Sequence, residues 1–337
     1  MAQVIDAFLF FQELDLLEIR LEYMAPSVDR FVILEAAQTF TGKPKDFCLE
    51  ANFDRFKRFA HKIHYYKVTD RHATFSSIID HLGGGGEAHS KVKQLLLAHT
   101  HYPRDEIQWV LDTYHRECLH LALAEVADDN DTVIFSDLDE IPDVRTFPAA
   151  LRLAAAQPRV FQQHEFRYFL NCYLNSDWLG SIVGRYGQLK HISLNTLRMD
   201  SKVARHYVAQ APIIPGGWHF TSCGGIEAIR RKIESWGHQE FNTPAVMANL
   251  ERNIRTGQDI FGREHGTILI RRELTDELFD PRLAQTIRRF PDLVSGTEIE
   301  KVQKSWWKSH ILRGRFLAGR IVAKLSRLFS ASNRSTH

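Results

Sequence analysis

Three carboxylates fall within four residues, Asp137, Asp139 and Glu140, directly after the apolar run Thr132-Val133-Ile134-Phe135 and just before Pro142. The run has the length and composition of a buried strand, and Pro142 bars its ladder from continuing. Acids at the carboxyl end of such a strand are hard to explain as packing, because an unpaired buried carboxylate is expensive. A hard divalent cation, Mn²⁺ or Mg²⁺, would resolve the conflict by taking carboxylate oxygens while keeping sites for water and phosphate. Asp137 and Asp139 stand two apart and so share one face of an extended chain. An ordinary acidic turn is the competing account. His219, set among glycines in Pro215-Gly216-Gly217-Trp218-His219-Phe220-Thr221-Ser222-Cys223-Gly224-Gly225, is a candidate third metal ligand or a donor to phosphate. The glycines would let a ligand approach the backbone closely, although a satisfied structural histidine is the plainer alternative.

The elements that must position these groups follow from periodicity. Apolar patterning predicts a strand over 4–11 with one Asp inside it, a helix over 13–24 and a second strand over 30–35. That βαβ signature implies parallel pairing and a right-handed crossover. Ligands of such sheets bind beyond the carboxyl ends of the strands, which gathers Gln12, Glu13, Glu35, Asp137 and Asp139. The turn-rich loop 39–45 carries Lys43 and Lys45, to meet nucleotide phosphates or to stand in solvent. A helix over 107–126 holds Arg116, as a diphosphate contact or a structural ion pair. A short helix over 53–59, a strand over 62–68 and a helix over 147–156 complete the body, with one long aromatic strand over 160–175. Aromatic faces beside Asn and Arg suit a sugar. The four glycines at 83–86 mark a flexible point, either a lid together with 87–103 or a surface loop. A helix over 226–236 bears Arg230, Arg231 and Lys232, and Glu240 shortly after it is polar enough to supply a base; Glu165, Asp259 and Glu227 are alternatives.

The chain has 337 residues, 44% hydrophobic and 25% charged, enough for a sizeable core. Its four cysteines are scattered without metal-ligand spacing, which suits a reducing compartment. No signal peptide or membrane-spanning run is evident, so the expectation is a cytoplasmic protein. The net charge of +2 conceals an asymmetry. Residues 301–337 hold nine Lys or Arg and no acid, leaving 34 basic and 41 acidic residues in 1–300, a body of −7. From 298 to 329, apolar residues recur three and four apart. Two domains are therefore expected: a catalytic body over 1–297, and a basic amphipathic helix and tail over 298–337 that lies peripherally on an anionic membrane. The acidic body and the lack of a recognised motif argue against nucleic-acid binding.

Five stretches in order resemble the family 17 glycosyltransferases: Asp15-Leu16-Leu17-Glu18-Ile19-Arg20-Leu21, Phe31-Val32-Ile33-Leu34-Glu35, Thr41-Gly42-Lys43-Pro44-Lys45, Ser136-Asp137-Leu138-Asp139-Glu140-Ile141-Pro142 and Gly217-Trp218-His219-Phe220. The resemblance implies an A-type glycosyltransferase fold, an α/β architecture with a mostly parallel sheet flanked by helices. It also implies a nucleotide-sugar donor such as UDP-GlcNAc, Mn²⁺ or Mg²⁺, and inversion at the anomeric carbon. The family's Asp-x-Asp falls on Asp137 and Asp139, and Trp218 joins Gln12, Glu13, Glu35, Lys43, Lys45, Arg116 and Asp137 as an expected donor-binding residue. The acceptor expected is a glycan or a lipid-linked oligosaccharide. Two rivals are a phosphoryl-transfer domain built on Asp137 and Asp139, and a non-catalytic membrane-binding protein with a degenerate transferase body. The first would place its Asp pair after the first strand of the fold, which is not where it lies.

Overall fold

The computed structural model describes residues 2–199, 214–264 and 266–303. The chain divides into two units, the first made of Met1–Gln239 with Arg272–Ser295 and the second of Glu240–Arg271 with the chain from Gly296 onward. The first unit contains β1 (Val4–Leu9), α1 (Leu14–Met24), β2 (Arg30–Ala36), α2 (Cys48–Ala51), β3 (Ile63–Val68), α3 (Phe75–Gly83), α4 (Glu87–Ala98), α5 (Ile107–Glu117) and α6 (Leu119–Ala124). It continues through β4 (Thr132–Asp137), β5 (Glu140–Ile141), α7 (Phe147–Ala154), β6 (Arg159–Arg167), β7 (Cys172–Arg185), α8 (Tyr186–Leu189), α9 (Leu194–Met199), β8 (Ile214–Thr221) and α10 (Gly225–Ser235). Its strands lie in the order β3-β2-β1-β4-β7-β6-β8-β5. The β3-β2-β1-β4 half is parallel, and β7 then runs antiparallel to β4.

Alternation along the strands feeds a core on each face of the sheet. Phe31 and Ile33 of β2 join Leu17, Leu21 and Phe8 on one face. Val32 and Leu34 join Ile5, Ala7, Val133 and Leu111 on the other. A parallel sheet covered on both faces is the expected α/β arrangement. Because β2 and β4 flank β1, the chain reverses its winding there, and such a switch point opens a crevice at the strand carboxyl ends. In register, Leu9 at the end of β1 sits beside Asp137 at the end of β4.

Asp6, the single acid inside β1, is fully buried and meets the equally buried Arg20 of α1. Arg20 Nε donates to Asp6 Oδ2 at 2.9 Å and Nη2 to Asp6 Oδ1 at 2.6 Å. The rest of the guanidinium grips the acidic segment: Nη2 reaches Ser136 Oγ at 2.6 Å, and Nη1 donates to the carbonyls of Asp137, Leu138 and Glu140 at 2.9, 3.0 and 2.9 Å. From the other side, the Phe220 amide of β8 donates to the Asp139 carbonyl at 2.8 Å, and β5 pairs with β8 through Glu140 opposite His219. The segment carrying the aspartates is therefore fixed by its backbone.

Several expected elements take a different form. The long strand over 160–175 is two antiparallel strands, β6 and β7, because the chain turns at Tyr168, whose φ of 70° lies in the left-handed region. The helix over 107–126 breaks at Cys118 into α5 and α6. The glycine run joins α3 to α4, with Gly84 ending one helix and Gly86 starting the next. The glycine at 217 has φ 117°, and a Cβ there would lie 2.6 Å from the Ile141 carbonyl oxygen. The close approach it permits is therefore that of β5.

The second unit carries α11 (Pro244–Arg255), started by Thr243 Oγ1, which accepts from the Val246 amide at 3.2 Å. Residues 298–303, expected to begin the amphipathic helix, are not helical. Val302 is instead tied to Thr267, donating its amide to Oγ1 at 2.8 Å and accepting from the Thr267 amide at 3.0 Å. The remainder of that expected helix, 304–337, lies outside the described residues. Among the described residues, no helix is long and apolar enough to cross a membrane.

Two predictions follow from this framework. Arg20→Ala leaves the Asp6 carboxylate buried without its partner and is expected to lower stability by about 3–5 kcal/mol; urea unfolding measures it, and a loss well under 1 kcal/mol would exclude the clamp. The first unit also buries three neutral histidines, with His99 and His120 pushed down by burial to about 4 and His115 to about 3. Unfolding frees each to take up a proton below about 6.5, so stability should fall as pH drops from about 6.5 toward 4 by up to ~1.4 kcal/mol per pH unit per histidine. Unfolding curves at pH 7 and pH 5 with equal midpoints would contradict this.

Candidate active site

The crevice at the switch point is a cavity of about 160 Å³. Leu9, Phe10, Phe11 and Glu13 line it after β1, Ala36, Gln38, Phe40 and Lys45 after β2, and Asp137 and Asp139 after β4. Helices contribute His115 and Arg116 from α5 and Lys232 from α10, with Trp236 just beyond. Apolar and aromatic surface thus adjoins a small group of fixed charges.

Those charges are closely matched. Arg116, 5% exposed, donates Nη1 to Asp137 Oδ1 at 2.6 Å and Nη2 to Asp112 at 2.9 Å. Arg198 of α9 pairs with the other oxygen of Asp137 and lies 3.4 Å from Glu140 Oε1. Glu140 is buried and also accepts from Trp178 Nε1 at 2.9 Å. Lys232 Nζ donates to Asp139 Oδ2 at 3.0 Å, and His219 Nε2 stands 3.7 Å from Asp139 Oδ1. Trp178 stacks on the His219 ring with centroids 4.0 Å apart.

Burial favours the neutral form of Asp139, but Lys232 and His219 beside it hold its carboxyl below the usual carboxylate range. Burial likewise opposes the charge on Lys232, and Asp139 and Glu13 more than offset that, raising it. Arg116 is raised in the same way by Asp137 and Asp112 against its burial. Asp139, Lys232 and Arg116 therefore stay charged at neutral pH.

The crevice gathers five of the expected residues, Glu13, Lys45, Arg116, Asp137 and Asp139, with His219 beside Asp139. It does not gather the others. Gln12 lies outside the lining and accepts from Arg231 Nε at 3.1 Å. Glu35 is fully buried, its carboxylate taking the Cys48 and Leu49 amides at 2.6 and 3.0 Å, the Tyr65 hydroxyl at 2.7 Å and the Lys45 ammonium. It starts α2 and anchors Lys45, so its contribution to a donor is indirect. Lys43 is exposed on the turn before Lys45 and outside the lining. Trp218 is a core residue, 1% exposed, packed edge-on to Tyr23 at 5.6 Å and donating to the Leu278 carbonyl at 2.8 Å. Glu240 is exposed at the start of the second unit.

Sequence patterning missed Asp6 and Arg20, Arg198, and Trp178. Only Asp6 left a signal, as the one acid in an apolar strand. No curated protein matches the chain. The family model described as Glycosyltransferase family 17 matches residues 1–80, the segment that supplies β1, α1, β2, β3 and the crevice wall from Leu9 to Lys45. By that match the first 80 residues, which carry one wall of the crevice at the strand ends, are similar to glycosyltransferase family 17.

Proposed function

We propose that the chain is a metal-dependent, inverting glycosyltransferase, and that the crevice takes a nucleotide-sugar donor such as UDP-GlcNAc for transfer to a glycan or lipid-linked acceptor. The observation that carries the reading is the pairing of an aromatic lining from Phe10, Phe11 and Phe40 with two aspartates held among fixed cations in one cavity. The flat lining suits a nucleobase, and the cations suit a diphosphate.

The donor set fits Mn²⁺ or Mg²⁺. Carboxylate oxygens are the hard ligands that such an ion takes, and His219 Nε2 stands 3.7 Å from Asp139 Oδ1, so the two residues would hold the ion together. Asp139 would hold the ion, with His219 beside it. Asp137, engaged on both oxygens by Arg116 and Arg198, positions those guanidiniums and reaches the metal or the donor ribose. When bound, such an ion offsets the negative charge that develops on the departing nucleotide. Arg116 and Lys232 supply further preorganised positive charge along the same lining.

Inversion needs a base that takes the proton of the acceptor hydroxyl in line with the departing diphosphate. Glu240 is assigned that part. Of the alternatives, Glu165 is bound to Arg167 at 2.8 Å, and Asp259 is buried and held by Arg263 on both oxygens at 2.7 and 2.9 Å. Glu227 is 74% exposed and faces Arg230.

Asp139→Asn should reduce donor turnover at least ~10²-fold in protein that still unfolds cooperatively, with some stability lost because Lys232 loses its partner. Hydrolysis and transfer assays with a panel of nucleotide sugars and Mn²⁺ measure it, and undiminished turnover would remove Asp139 from the metal role. Glu240→Gln should slow transfer by about 10²–10⁴-fold with donor affinity unchanged. A near-normal transfer rate would place the base elsewhere.

A further inference from the structure

We propose that Asp70, His72 and His81 form a zinc-binding site separate from the aspartate pair. Asp70 and His72 lie in the loop between β3 and α3, and His81 lies in the last turn of α3. One ligand atom from each, a carboxylate oxygen and two ring nitrogens, falls within 4.8 Å of the other two, the one such triad among the described residues. His72 Nε2 stands 2.7 Å from Asp70 Oδ2, and His81 Nε2 stands 3.7 Å from Asp70 Oδ1. Two imidazoles and a carboxylate suit Zn²⁺ better than Mg²⁺ or Mn²⁺, and three protein ligands leave a fourth position open.

The hydrogen bonds around the triad are compatible with a metal-bound imidazole. His72 Nδ1 lies 3.2 Å from Ser77 Oγ, which also lies 2.8 Å from the Thr74 carbonyl, so each ring nitrogen of His72 faces an oxygen. An imidazole that donates through one nitrogen and coordinates through the other is the usual arrangement of a metal-bound histidine. Tyr114 adds the supporting shell, donating its hydroxyl to Asp70 Oδ2 at 2.6 Å. His81, 43% exposed, gives an ion access from solvent.

The site is tied to the crevice wall. Gln38, which lines the crevice, donates to the His72 carbonyl at 2.9 Å and accepts from the His72 amide at 3.0 Å. An ion joining the loop to the end of α3 would brace that wall.

The test uses the full chain stripped of metal and titrated with Zn²⁺, followed by calorimetry and by the visible absorption of tetrahedral Co²⁺. The parent chain should bind one equivalent at this triad, in addition to any ion taken at Asp139, and gain thermal stability. His81→Ala and Asp70→Asn should each weaken binding by about tenfold or more, whereas Asp139→Asn should leave it unchanged. Because His81 is half exposed, His81→Ala should fold, and His81→Cys, which restores a ligand, should recover the ion. Failure of the parent chain to saturate, unaltered affinity in His81→Ala, or loss of the equivalent in Asp139→Asn would each overturn the site.

Discussion

The buried ion pair of Asp6 and Arg20 is the interaction on which the rest of the site depends. Both residues are fully removed from solvent, and the guanidinium divides its donors between the Asp6 carboxylate, one hydroxyl and three carbonyls of the segment from Ser136 to Glu140. Three converging carbonyls would repel one another without a cation between them. Arg, with a planar fork of five donors, serves these carbonyls together with the Asp6 carboxylate and the Ser136 hydroxyl, more acceptors than the three donors of a Lys ammonium could reach. A buried pair of this kind adds little net stability relative to an apolar replacement. Its effect is on conformation: α1 and β1, which are adjacent in sequence, fix a turn more than a hundred residues later.

Around that turn the negative charges do not stand alone. Asp137 is held by Arg116 and Arg198, and Asp139 by Lys232 with His219 nearby. The arrangement resolves the conflict that three acids at the end of a buried strand present, since each buried carboxylate has a partner. It also places positive charge beside the crevice before any ligand arrives. Groups already oriented by carboxylates need little rearrangement to meet an incoming diphosphate, which is the condition for effective electrostatic stabilisation.

Residues 4–36 of the first unit were the most legible in sequence, because β1, α1 and β2 are local elements with clear periods. The acidic segment was legible because its chemistry conflicts with its setting. The misreadings share a cause, namely partners far away in sequence. Glu35 looked free at the end of β2, but its four donors come from residues 10 to 30 positions on. Trp218 and His219 looked like a single motif, yet adjacent strand residues point to opposite faces, so one enters the core and the other meets Asp139. Tyr168 gave no turn signal of its own, being neither Gly nor Asn, and so the β6–β7 hairpin read as one strand. Arg198 and Trp178 carried no local mark, because only the packing of α9 and β7 brings them to the aspartates.

The stacking of Trp178 on His219 links the acidic corner to a chromophore. The indole touches the imidazole on its face and bonds Glu140 through its nitrogen, so two neighbours of the aspartates bear directly on its electronic surroundings. Any ion or phosphate that alters the charge of that imidazole, or shifts Glu140, changes the dielectric and quenching environment of one tryptophan among the six in the chain. The protein thus carries a built-in optical reporter within bonding distance of the groups that a ligand in the crevice would disturb.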